Sequence, residues 1–300
     1  MLRESRGRNA DAQLNRQGAL FAVVLRPHPS APLEYWFFKV NHERTALLVD
    51  WICRRKQATG VIRISIHSPT GREVLFSPHP AILRHGAPEL AMEETAWPRG
   101  NVRWHLSLQP APDRVRPQIF PAEQLRLFDM SLESAPTVTF NGWIAHRGEK
   151  YPIIDALGMV SHYWGRGLPI DWWWISANQF NVGAISVECT ILRTRIWGTP
   201  VHVPLGYLYY RNGSRSRCLI SPPARLTVVG TPGAFEITAV PLRGAQVSLK
   251  AKGRDYASLG DGIINTLTGD LELREDGRLV AQATGTAALE RRPGSGNAFA

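Results

Sequence analysis

The chain has 300 residues, 44% of them hydrophobic and 20% charged, with a formal net charge of +10 and ten tryptophans. That is the make-up of an ordinary globular chain, long enough for one large β domain or two barrels, and no apolar run reaches the length of a transmembrane helix. The positive charge is mostly arginine and scattered, with short runs such as Arg54-Arg55-Lys56 and Arg291-Arg292 but no basic helix or interleaved RNA-binding motif. It reads as solvated surface first and as attraction to a peripheral membrane surface second, and nucleic acid is not expected as a partner.

Residues 1–17 are polar with no apolar period and read as a mobile arm. Gly18 to Leu25 runs straight into Arg26-Pro27-His28-Pro29 with no small-x-small cleavage site, so no signal peptide is read and the cytoplasm is the expected compartment. Cys53, Cys189 and Cys218 form no CxxC pair, and an odd number fits a reducing compartment. Short segments rich in β-branched and aromatic residues then follow one another, separated by Pro, Gly, Asn and Thr. They are Glu34 to Val40, Ala46 to Cys53, Gly60 to His67, Glu73 to Phe76, Val102 to Leu108 and Val138 to His146. After them come Trp172 to Phe180, Ala184 to Arg195, His202 to Arg211, Arg225 to Val229, Ala234 to Val240, Ala245 to Ala251, Thr266 to Arg274 and Leu279 to Leu289. Asn212-Gly213 and Asp276-Gly277 are hairpin signals. Helix is expected only at Ala122 to Phe128 and Tyr151 to Met159. About fourteen strands are too many for one small barrel. The expectation is therefore an all-β chain of two consecutive antiparallel barrels, 18–150 and 151–290, with 291–300 a disordered tail.

The segment from Ser161 to Phe180 holds four of the tryptophans. Read as a strand from Asp171, it puts Trp172, Trp174, Ser176, Asn178 and Phe180 on one face, because side chains alternate along a strand. A buried polar group without a partner costs free energy, so Ser and Asn in line with two tryptophans fit the wall of a pocket for a large, weakly polar ligand. The plain alternative is an aromatic core strand with its polar groups satisfied locally.

Two places resemble the tocopherol cyclase and carotenoid 1,2-hydratase family, lipocalin-like double barrels related to lipocalin-like Diels-Alder cyclases. His162, Trp164, Gly165, Pro169, Trp172, Trp174, Asn178 and Phe180 match its Trp-strand motif. Glu34-Tyr35-Trp36-Phe37-Phe38-Lys39-Val40 is similar to its opening strand. Where that motif has an acid, an Asn and a Gln, this chain has Ser161, Tyr163 and Ser176. The resemblance implies two lipocalin-like barrels (a double calycin) and a cofactor-free cyclisation or hydration of an isoprenoid or polyketide-like chain at their seam. Such chemistry needs a positioned acid, aromatic faces to shield a carbocation and exclusion of water. Trp36, Phe38, Trp164, Trp172, Trp174, Ser176, Asn178 and Phe180 are the expected substrate-binding residues. For the acid, Glu34 leads the strand that carries Trp36 and Phe38 on the same face, and Asp50 shares a face with Ala46, Leu48 and Ile52. A carboxyl in an apolar cavity stays protonated near neutral pH. His162 is the next donor, and Asp171 directly precedes the Trp strand. Glu34 and Asp50 also each have a plain reading as a strand-end carboxylate paired with an arginine.

No histidines pair at metal-ligand spacing, and no HExxH, GxGxxG, P-loop or GxSxG occurs, so neither metal nor cofactor is expected. A non-catalytic carrier of a lipophilic ligand, and a pericyclic cyclase that folds its substrate without an acid, are the alternatives.

Overall fold

The computed structural model describes residues 28, 30–78, 93–94, 102–110, 113–116, 130–196 and 198–294. The expected arm, the expected helix at Ala122 to Phe128 and residues 295–300 of the expected tail lie outside them.

The described residues form two antiparallel sheets with no α-helix. The first contains β1 (Leu33–His42), β2 (Thr45–Arg54), β3 (Thr59–Ser68), β4 (Gly71–Pro78), β5 (Glu93–Glu94), β6 (Val102–Pro110), β7 (Met130–His146) and β8 (Glu149–Gly165), in the order β4-β3-β2-β1-β8-β7-β6-β5. The second contains β9 (Asp171–Ala177), β10 (Ile185–Arg195), β11 (His202–Asn212), β12 (Arg215–Ser221), β13 (Arg225–Thr231), β14 (Ala234–Val240), β15 (Val247–Lys252), β16 (Ala257–Gly260), β17 (Ile263–Glu275) and β18 (Arg278–Arg292). Its order is β12-β11-β10-β9-β18-β17-β15-β14-β13, with β16 paired to β17. In both sheets the first strand lies between the second and the last. The two halves are thus the same meander, a duplication visible in topology although no residue-level repeat marks it. Asp276 and Gly277 both have positive φ, as a two-residue turn between β17 and β18 requires.

Each sheet curls round its own apolar face. Trp36, Val49, Ile64, Trp104, Phe140 and Val160 come from six strands of the first sheet and pack in one cluster. Trp173, Ile175, Cys189, Leu208, Ile237, Leu271 and Leu289 do the same in the second. A third cluster joins the opposite faces of the central strands, with Leu48, Leu132, Met159 and Tyr163 from one sheet against Trp172, Trp174, Leu192, Tyr207 and Ala288 from the other. The central strands are buried on both faces, and all seven residues of β9 are buried.

One sequence expectation is corrected here. Tyr151 to Met159 is not a helix but part of β8, a 17-residue strand of the first sheet. A bulge disguises it: Asp155 has φ 46°, Asn141 Oδ1 accepts the Asp155 N–H at 2.9 Å, and the pairing with β7 slips between Phe140 and Gly142. A bulge breaks the period-two alternation, so the buried Ile153 and Ala156 stand three apart, as on a helix. A division at 150/151 would cut the hairpin of β7 and β8; the change of sheet falls in 166–170. Arg291 and Arg292, read as tail, close β18.

Candidate active site between the two sheets

Alternation along the central strands decides what faces the seam. From the first sheet come Tyr35 and Phe37 of β1, Leu48 and Asp50 of β2, Leu132 of β7 and Tyr163 of β8. From the second come Trp172 and Trp174 of β9, Thr190 and Leu192 of β10 and Glu290 of β18, with Leu168 and Pro169 of the connection between the sheets. Together they enclose a cavity of about 70 Å³. Phe37 meets the Trp174 ring edge-on, centroids 5.6 Å apart. The space is far below the several hundred Å³ around a drug-sized guest, so it admits the end of a chain.

Two carboxyls sit on this aromatic wall with one guanidinium between them. Arg63 Nε donates to Asp50 Oδ2, and Arg63 Nη2 donates to the Tyr35 hydroxyl oxygen. Arg63 reaches Glu290 Oε2 only at 4.0 Å. Glu290 accepts the Trp172 indole N–H at 2.9 Å and an Asn265 N–H at 3.4 Å. Burial pushes Glu290 above the usual carboxylate range, with Arg63 opposing and Asp50 adding to the rise. Burial also raises Asp50, against the pull of Arg63. One cation cannot stabilise two carboxylates in a water-poor site. The direct bonds favour charge on Asp50 and the retained proton on Glu290. Asp50 Oδ1 is buried with no hydrogen-bond partner among the described residues.

A second polar group lies in the same seam outside the cavity lining. Glu188 of β10 accepts hydrogen bonds from Ser134 at 2.6 Å, Tyr207 at 2.7 Å and Ser161 at 3.3 Å. Ser161, which stands where the resembled motif has an acid, thus donates to a carboxyl from the opposite sheet. Lys39 of β1 donates to the Ser176 carbonyl at 3.1 Å and to Asn178 Oδ1 at 3.3 Å. Burial lowers the Lys39 ammonium from 10.5 to about 7, against the attraction of Glu188.

The Lys39 shift carries a stability prediction. Its folded value lies below its unfolded one, so as pH falls through 10.5 the unfolded chain gains the proton first. The resulting penalty grows from there down to about 7 and is then constant. Lys39→Met is therefore expected to melt higher relative to the wild type at neutral pH than at pH 10.5. Melting curves of both proteins across that range check this; a difference that does not change with pH contradicts it.

The sequence-predicted residues divide sharply. Trp172, Trp174 and Asp50 line the cavity. Ser176 and Asn178 do not; they hold Lys39. Trp36 and Phe38 lie in the first barrel's core, because the even side of β1 faces inward and the odd side faces the seam. Phe180 lies beyond the end of β9 and packs on the second barrel's core. Glu34 shares the inward side of β1, with His162 Nε2 at 3.5 Å and bonds from Arg55 and the His28 N–H. Burial would raise Glu34, but His162, His28 and Arg55 together hold it below the ordinary value. It is an ionised carboxylate away from the cavity, unsuited to donate a proton there. His162 stacks on Trp36 at 4.7 Å, and Trp164 stacks on His28 at 4.1 Å. Asp171 is paired with Arg193 and does not line the cavity. Sequence reasoning missed Tyr35, Phe37, Tyr163, Arg63 and Glu290, although Tyr35 and Phe37 share their face with Lys39 and Asn41, the same mixture of aromatic and polar groups that marks the Trp strand.

No protein-family model and no curated protein matches the chain. Solved structures do match in fold. A protein assigned as AttH from Nitrosomonas europaea aligns over 88% of this chain and 93% of its own, with a TM-score of 0.56 and 13% identity. Kievitone hydratase from Nectria haematococca aligns over 91% of each chain, at 0.53 and 9%. CghA in complex with Sch210972 aligns over 90% of each, at 0.54 and 12%. At these identities the likeness is one of fold, and it is the lipocalin-like double barrel expected from the sequence.

Proposed function

We propose that this lipocalin-like double barrel is a cofactor-independent cyclase or hydratase, working on the end of an isoprenoid or polyketide-like chain in the seam cavity. The observation that carries the reading is a pair of buried carboxyls, Asp50 and Glu290, sharing one guanidinium on an otherwise aromatic wall. Glu290 gives its proton to an alkene carbon, forming a C–H bond and leaving positive charge on the neighbouring carbon. The ring faces of Tyr35, Phe37, Trp172 and Trp174 stabilise that charge, and the narrow, mostly apolar cavity limits stray water. An O–H group or a second double bond of the substrate, or an admitted water, quenches the cation. The proton released passes to Asp50, whose buried Oδ1 accepts no hydrogen bond among the described residues, and then back to Glu290. Two fold neighbours lend support: one is named a hydratase, and another was solved with Sch210972.

The test is incubation of the purified protein with polyenes and prenylated quinols, followed by mass spectrometry of the products, in the wild type and in Glu290→Gln. Product from the wild type alone is expected. A ligand recovered unchanged from the purified protein, with no turnover on any substrate, would make it a carrier. Full turnover in Glu290→Gln would make it a templated, pericyclic cyclase.

A further inference from the structure

The mouth of the seam cavity differs in chemistry from its interior. Leu168, on the cavity wall, also lines an outer cleft whose two parts measure about 700 and 390 Å³ and share Leu168, Ile170 and His202. Arg193 and Arg292 line one part, Arg166 and Arg195 the other. Arg193 and Arg195 stand two apart on β10 and so share a face, and His202 pairs with Arg195 across β10 and β11. Among the described residues the same cleft is lined by Asp261, whose carboxylate is bonded by Arg54 at 3.2 Å, and Arg193 is bonded to the carboxylate of Asp171. Arg292 marks the threshold. Its Nη1 donates to the Pro169 carbonyl at 2.6 Å, its Nε donates to the Asp261 carbonyl at 3.2 Å, and its guanidinium lies 5.4 Å from the Trp172 ring centre. A guanidinium at the edge of an apolar cavity, bonded to carbonyls rather than to a carboxylate among the described residues, is suited to receive an anion.

We infer that the substrate ends in an oxyanion, a carboxylate or a phosphate, which the arginines at the mouth hold while the apolar end enters the seam. This rests on the seam cavity being the reaction site. The sizes agree: the inner cavity takes only a chain end, and the outer cleft has room for the remainder, with Leu168 and Ile170 against the stem. Guanidinium groups bind carboxylate and phosphate through paired N–H donors, and a charged partner makes such bonds about twice as strong as neutral ones.

The probes are dodecanol, dodecanoate and dodecyl phosphate, titrated calorimetrically onto the full chain below the concentrations at which they aggregate. Both anions are expected to bind about tenfold or more tightly than dodecanol at low salt, with the advantage shrinking as salt is added. Arg292→Gln and the exposed Arg195→Gln should each lower anion affinity relative to dodecanol, and Arg195→Gln should leave dodecanol binding itself unchanged. Arg195 is exposed at a strand end, so its replacement keeps the test valid if the Arg292 variant fails to fold. Dodecyl phosphate well above dodecanoate would identify a phosphate head group; equal affinities would identify a carboxylate as sufficient. Dodecanol binding as tightly as the anions, no anion binding, or an anion preference unchanged in both variants overturns the inference. Anion binding with no dodecanol binding would support the mouth while counting against the apolar cavity.

Discussion

Glu290→Gln is expected to lower turnover by about 10²–10⁴-fold, the ordinary cost of losing a general acid, while ligand affinity changes little. Glutamine keeps the shape and can still accept the Trp172 indole N–H that Glu290 now accepts at 2.9 Å, so the cavity wall is preserved and only the proton is lost. The ground for choosing Glu290 is electrostatic. Its carboxyl is buried, lies beside the charge of Asp50, and meets Arg63 only at 4.0 Å, so it holds its proton above the usual carboxylate range. Glu34, the first candidate by sequence, is held below its ordinary value by His162, His28 and Arg55. Glu34→Gln should accordingly leave turnover close to wild type.

Arg63→Met is expected to lower stability by about 3–5 kcal/mol, the cost of removing one partner from a buried ion pair. Arg63 is 3% exposed and supplies bonds to Asp50, Tyr35 and the Leu259 carbonyl, so its loss leaves two carboxyls in an apolar seam without a cation. Both are already raised by burial and would rise further. A carboxyl raised in the folded state costs nothing below its unfolded value and costs fully above its folded one. The deficit should therefore shrink as pH falls towards about 4. Adding Asp50→Asn to Arg63→Met should recover part of the loss, because the group that required the cation is then neutral. Denaturant unfolding of both variants at neutral and acidic pH measures this, and a loss in Arg63→Met that does not depend on pH contradicts it.

Much of the architecture was legible because a half-buried strand alternates and its turns carry Gly, Pro and Asn. All fourteen strand segments read from the sequence overlap strands, although Trp172 to Phe180 runs past the end of β9, and Ala184 and Ala245 lie before the starts of β10 and β15. The strands that escaped had weak local signals: the two-residue β5, the bulged β8, the poorly buried β12 and the four-residue β16. Part of the seam cavity's lining was legible. Trp172 and Trp174 were found because polar groups shared their face, and Asp50 because it stood in an apolar one. On β1 the wrong side was chosen: both sides are apolar enough to bury, and Trp36 and Phe38 are the larger hydrophobes. Glu290 and Arg63 could not be found locally. Their meeting with Asp50 exists only because β18 returns beside β9 and the two sheets pack face to face. The departure from the resembled motif at Ser161 was likewise readable, but not the hydrogen bond from Ser161 to Glu188 of the other sheet.

Whether a carboxyl proton enters the substrate is tested most directly by turnover in deuterium oxide, with the product analysed by mass and by the position of the label. The account predicts a product carrying one deuterium bound to carbon at the protonated end of the former double bond, formed by the wild type and lost in Glu290→Gln. A cyclic or hydrated product with no carbon-bound deuterium would contradict it.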